Sequence, residues 1–313
     1  MDAVPFKFCE DVICFLWKNC SPVDAFSSIR SSLWQGAHRE ASPKFCNYIL
    51  TFSFDDHHKW KYLLADCQNP ARNVPFENFS SKYGRIDEIY GDIDGWLTEQ
   101  RLGSMREVAF EVIITFLTQK VALQSYVPRL MLMDYGSGFA EPILEAFLKK
   151  VYISALHIAT TIHRNAAFFT EFIEDQVDGG KLEYLTLEGN FPAVDTLALV
   201  LKLAEQEQIK NIEIHEIEAA YDFFQALIEK WVSTGKPKNM KMHCDVYFAS
   251  DMLRKFMSLA EIGLWVKVAK EGKQTAVVKC SLSTFEVTFL ESYEDLDEDI
   301  RAKIVANLED FRK

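Results

Sequence analysis

Leu130-Met131-Leu132, Leu156-His157-Ile158, Leu185-Thr186-Leu187, Ile212-Glu213-Ile214 and Met240-Lys241-Met242 are five short segments built alike, an apolar residue on each side of a more variable one. Alternation of this kind is what a β-strand with one buried face requires. Their first members are spaced 26, 29, 27 and 28 residues apart. An apolar helix position follows each at nearly constant distance: Ile143 lies 13 residues on, and Phe168, Leu197, Phe224 and Met252 each lie 12 on. One helical turn later come Phe147, Phe172, Leu201, Ile228 and Phe256. Each unit is therefore a short strand packed under an amphipathic helix, and neither can bury its apolar face alone.

A strand–helix unit of this length forces parallel strands joined by right-handed crossovers. Two architectures satisfy it, a curved solenoid or an open parallel sheet, and the near-constant period favours the solenoid. The expected fold class is α/β, a degenerate solenoid over residues 125–262. Beyond it, Leu264–Val268, Thr275–Leu282 and Phe285–Leu290 predict an antiparallel meander, and Ile300, Ile304, Leu308 and Phe311 a terminal helix. Residues 263–313 are expected to cap the open end of the stack. Upstream, residues 41–124 contain strands: Tyr48–Phe54 and Lys59–Ala65 form a hairpin, and Ile86–Tyr90 adds another strand before an apolar helix over Met105–Gln119. Residues 1–40 predict short helices with Phe8, Val12, Phe15 and Leu16 on one face.

Leu182-x-x-Leu185-x-Leu187 and Ile209-x-x-Ile212-x-Ile214 resemble the strand motif of leucine-rich repeats in their longer, helix-containing variety. No Asn or Cys recurs after the motif, because Gly136, Thr160, Gly189 and Glu216 stand there. At the other end, Val4-Pro5-Phe6-x-Phe8-x-x-x-Val12-Ile13-x-x-Leu16, then Ser21-Pro22-Val23-Asp24-x-Phe26 and Leu33-Trp34, resembles an F-box, in the divergent form expanded in nematodes. Lys7 and Phe26 depart from that pattern. The resemblance implies a Skp1-like adaptor protein as partner, docked on Pro5, Phe6, Val12, Leu16 and Trp34. It also implies a substrate-receptor role in a cullin-type ubiquitin ligase, the protein substrate being unspecified. The repeat surface that would recruit the substrate presents Met131, His157, Thr186, Glu213 and Lys241, the outward neighbours of the apolar pairs.

A net charge of −12 argues against general nucleic-acid binding, which needs clustered Lys and Arg to displace phosphate counterions. The most apolar stretch, Val108–Leu117, is short and carries Glu111, so it predicts a buried helix and not a membrane span. Seven cysteines without paired spacing are expected to be reduced thiols, in a cytoplasmic or nuclear setting without a secretory leader. His57 and His58 beside Asp55 and Asp56 point different ways on a turn and do not converge on a metal. No catalytic residue, metal or cofactor is expected. The alternative enzyme reading rests on Leu130–Met133 followed by Asp134-Tyr135-Gly136-Ser137-Gly138, which resembles the first motif of S-adenosylmethionine-dependent methyltransferases. A third reading is a repeat-type interaction protein with no ubiquitin role.

Overall fold

The computed structural model describes residues 5–19, 31–54, 59–91, 104–122, 127–134, 140–160, 166–189, 193–215, 240–245, 264–268, 275–280 and 284–290, with a few single positions besides. The chain divides into two compact units, Met1–Ser154 and Ala155–Lys313.

The first unit opens with helices α1 (Phe6–Asn19) and α2 (Ser32–Ala41) and continues into strands β1 (Cys46–Phe54), β2 (Trp60–Asp66), β3 (Asn69–Asn73), β4 (Gly84–Gly91), β5 (Arg106–Val108) and β6 (Arg129–Asp134). Helices α3 (Phe110–Phe116) and α4 (Ala140–Phe147) flank β6 in sequence. The strands are ordered β6-β4-β1-β2-β3, with β5 also on β2. β1 and β2 are antiparallel neighbours in register from Tyr48 opposite Asp66 to Phe54 opposite Trp60, whereas β1–β4 and β4–β6 are parallel. The stretch expected to be one helix over Met105–Gln119 starts instead as strand β5, and its helix begins at Phe110.

Helix α1 is apolar on both sides, so its periodicity leaves the choice of inner face open. Cys9 and Ile13 are fully buried, with Cys14 and Trp17 beside them, in a cluster that includes Phe45, Ala37 and Ala41. The face that carries Phe8, Val12, Phe15 and Leu16 is the outer one: Phe8 and Phe15 are 53% and 60% exposed. Trp17 stacks on Phe45 at 4.5 Å, and the guanidinium of the buried Arg85 lies 5.2 Å from the centre of the Trp17 ring. Arg85 donates to the Trp17 carbonyl at 3.1 Å, close to the C-terminal end of α1, where carbonyls lack helical partners. At the other end, the Glu10 carboxylate accepts from the Tyr83 hydroxyl at 2.6 Å and pairs with Lys7 and Lys82 at 3.0 Å. Helix α1 is thus bolted to the strand-bearing part of its own unit, and the F-box-like recognition is corrected accordingly. The inner residues Cys9, Ile13 and Trp17 pack on α2 through Ala37 and Ala41 and also on Phe45 and Tyr83, so the two helices are built into a strand-bearing unit with parallel β1–β4 and β4–β6 pairs and are not a separate docking module.

In the second unit, β7 (Ala155–Thr160), β8 (Tyr184–Gly189), β9 (Asn211–His215) and β10 (Met240–Asp245) are the expected strands, and β7–β8, β8–β9 and β9–β10 pair in parallel. Helices α5 (Ala166–Asp178) and α6 (Ala193–Leu203) make the first two crossovers. Strands β11 (Leu264–Val268), β12 (Thr275–Cys280) and β13 (Thr284–Leu290) form the antiparallel meander. The meander is no lid over a stack of repeats. β13 pairs antiparallel with β10, so the order runs β11-β12-β13-β10-β9-β8-β7 in one mixed sheet.

The expected leucine-rich-repeat-like solenoid is therefore corrected to open, mixed, parallel-dominated α/β sheet. A constant strand–helix period specifies parallel neighbours and crossovers, and an open sheet supplies those as well as a solenoid does. The terminal helix expected over Ile300–Phe311 lies outside the described residues. No helix among the described residues is long and apolar enough to cross a membrane.

The hydrogen bond from Tyr83, then those from Lys7 and Lys82, hold the Glu10 carboxyl at about 2, below its ordinary 4.5. A carboxyl depressed in the folded state stabilises the fold above its ordinary value and loses that contribution as pH falls toward the folded one. Glu10→Gln should therefore lower the melting temperature near neutral pH, with the gap to wild type closing between about pH 4.5 and about pH 2. Equal melting temperatures at neutral pH would show that Glu10 does not anchor α1.

Candidate functional site

Strand alternation gives the second unit two unlike sheet faces. Leu156, Ile158, Leu185, Leu187, Ile212, Ile214 and Met242 point one way and are all at most 1% exposed. Strands β7, β8 and β9 lie side by side in sequence order, so both crossovers step in the same direction. Right-handed crossovers that step the same way put α5 and α6 on one face. Those helices bury Phe169, Phe172, Ile173, Leu199 and Val200. Gln206, just past α6, donates to the carbonyl of Val177 near the end of α5, and Lys202 pairs with Asp178. The opposite sheet face has no helix from these crossovers.

That face, open among the described residues, is polar and in register. His157 stands opposite Thr186, Thr186 opposite Glu213, Glu213 opposite His243, and His243 opposite Glu286, each half-buried. In the adjoining row Asn211 is opposite Lys241, and Lys241 is opposite Thr288. Diagonal contacts tie the rows together. His157 Nε2 meets Glu188 Oε1 at 3.0 Å, Asn211 Nδ2 donates to Glu213 Oε1 at 2.8 Å, and Lys241 Nζ lies 3.3 Å from Glu286 Oε1. The rings of His215 and His243 are 5.7 Å apart. Partly exposed pairs of this sort contribute only about 0–1 kcal/mol each, so fold stability does not explain the row.

Of the residues expected on a partner surface, His157, Thr186 and Glu213 share the row and Lys241 sits beside it. Met131 is half-buried on β6 and belongs to the first unit. Sequence reasoning missed His243 and Glu286. The first was legible, two residues beyond Lys241 on one strand. Glu286 was not, because only the antiparallel pairing of β13 with β10 brings it there. Of the residues of the F-box-like reading, Pro5 and Phe6 are exposed, Val12 and Leu16 half-buried, and Trp34 packs on the α1 cluster.

At the strand ends, Asp134 is 1% exposed and its Oδ2 accepts from the backbone N–H of Ala140 at 3.0 Å, tethering the start of α4. Tyr135–Gly138 lie outside the described residues. At the corresponding end of β7 stands the buried hydroxyl residue Thr160. Gly189, at the end of β8, has φ +107°, and a Cβ placed there would lie 1.9 Å from the Thr160 carbonyl oxygen.

No family model matches the chain, and no curated protein does. A solved structure from Streptococcus agalactiae, described as a protein in the NADB-Rossmann superfamily, is 17% identical over 59% of this chain and 72% of that one, with a TM-score of 0.18. A TM-score of that size does not establish a shared fold.

Gly189→Ala combines a forbidden backbone conformation with a clash against backbone, and should cost about 3 kcal/mol or more. Urea denaturation would read it as a lower midpoint at unchanged slope. A midpoint equal to wild type would mean that β7 and β8 do not approach this closely.

Proposed function

We propose that the chain is a non-enzymatic binding protein with no ubiquitin role, which holds a protein partner on the open sheet face of its second unit. One observation carries the reading: the row His157, Thr186, Glu213, His243, Glu286 is in register across five strands on the face opposite α5 and α6. The row combines two imidazoles, two carboxylates and the hydroxyl of Thr186, and Lys241 flanks it, so the complementary partner surface is polar with both signs of charge. Such a surface confers partner choice and association rate more than raw affinity. The side chains are anchored on strands and not on loops, which suits a preorganised contact.

Thr186→Arg/Glu213→Arg reverses the character of the row while leaving the buried face untouched, so the melting temperature should stay within a few degrees of wild type. Cross-linking mass spectrometry from native cell extract should then show partners joined through β7–β10 in wild type and lost in the variant. An unchanged cross-linked set would sink the reading.

A second reading, S-adenosylmethionine-dependent methyl transfer, rests on Asp134, a buried carboxylate at the carboxyl end of a parallel strand with its oxygen on the following backbone. Ligands of α/β sheets gather at such ends. Against it, the described parallel strands beside Asp134, β1, β4 and β6, lie in sequence order, without the reversal that opens a cofactor crevice. Saturating S-adenosylmethionine must stabilise a protein that binds it, by about 2.7 kcal/mol at a hundredfold excess over Kd. An unshifted melting temperature removes this reading.

A further inference from the structure

We propose that His215 and His243 form a two-imidazole site for a divalent transition-metal ion on the open face of the second unit, with Glu213 as the carboxylate able to swing into it. The site shares Glu213 and His243 with the proposed partner row, but it rests on its own geometry and stands whether or not that reading does.

The geometry comes from the β9–β10 register. Glu213 is directly opposite His243, and His215 follows Glu213 by two residues, so all three project from the same face in a triangle across two strands. The His215 and His243 rings stand 5.7 Å apart with their planes inclined at 43°. Two imidazole nitrogens at about 2.0–2.1 Å from one ion, with ring centres roughly 1.1 Å behind them, put those centres about 5–6 Å apart at ordinary bond angles. The observed separation is within that range without movement of the strands. Parallel strands of a hydrogen-bonded sheet also hold the two Cα atoms rigidly, which limits the entropy lost on closing the site.

Among the described residues no three His, Cys, Asp or Glu side chains are already gathered around one point. The site is therefore a pair completed by water or by Glu213. At present Glu213 accepts a hydrogen bond from Asn211 at 2.8 Å, a contact that a rotation of its side chain would exchange for the ion. Imidazole with one carboxylate suits Zn²⁺, Cu²⁺ and Ni²⁺, not the hard, oxygen-seeking Mg²⁺ or Ca²⁺. Binding requires unprotonated imidazole, so acid should weaken it. His157 is the natural control, because it lies on the same face but contacts Glu188 on the neighbouring strand.

The test uses the full chain without a polyhistidine tag, titrated calorimetrically with Zn²⁺ and with Cu²⁺. Saturable binding of one ion per chain is expected, weakened at least about tenfold in His215→Ala/His243→Ala and unchanged in His157→Gln. Electron paramagnetic resonance of the Cu²⁺ complex should show nitrogen coupling from two imidazoles, reduced to one in His243→Gln, a milder change that spares the fold. Absence of saturable binding overturns the proposal. So does equal affinity in the double variant, or loss of binding in His157→Gln.

Discussion

Alternate side chains of β7, β8, β9 and β10 are removed from water almost completely, and this one-sided burial is the constraint on which the second unit depends. Each buried Leu or Ile contributes about 1.5–3 kcal/mol relative to exposure. Because successive residues point to opposite faces, a slip of one position would exchange Leu185 and Leu187 for Thr186 and Glu188. The register of the polar face is thus enforced by the apolar one. His157, Thr186, Glu213 and His243 line up because Leu156, Leu185, Ile212 and Met242 must.

The first unit solves a different problem, that of holding a short helix whose two sides are both apolar. The choice is made at the ends, by polar contacts. Glu10 is drawn to Tyr83 and Lys82, and the Trp17 carbonyl to Arg85, which itself is bonded to Asp87 at 2.6 Å. With those ends placed, Cys9 and Ile13 turn inward and Phe8 and Phe15 outward. Of the residues that resemble a docking motif, Ile13 is buried in this core, whereas Pro5, Phe6 and Phe8 stay exposed. Further along, Tyr62, Phe76 and Phe116 stack in succession at 3.8 and 4.1 Å, packing the turn after β3 onto α3.

Much of the strand content was legible because it is local. All five apolar pairs fall on strands β6 to β10, and the first hairpin pairs with Phe54 opposite Trp60. Errors arose where two faces or two architectures share one pattern. Phe8, Val12 and Phe15 make as good a stripe as Cys9, Ile13 and Trp17, and periodicity alone does not choose which of them faces inward. Nearly equal periods suit a solenoid and an open sheet alike, and what separates them is the pairing of β13 with β10, between residues 39 to 49 positions apart.

The candidate face shows the same division. His157, Thr186, Glu213 and Lys241 were identifiable from alternation alone, since a residue between two buried neighbours on a strand must face the other way. The sequence by itself therefore determined the strands, their parallel direction and the side to which each residue points, because these follow from periods of two and 3.6 and from chain connectivity. Only the tertiary structure decided which strands became neighbours outside the repeats, which side of α1 was buried, and that Glu286 and His243 complete the row. Those outcomes depend on contacts between distant residues, whose energies compete across the whole fold and leave no local signature.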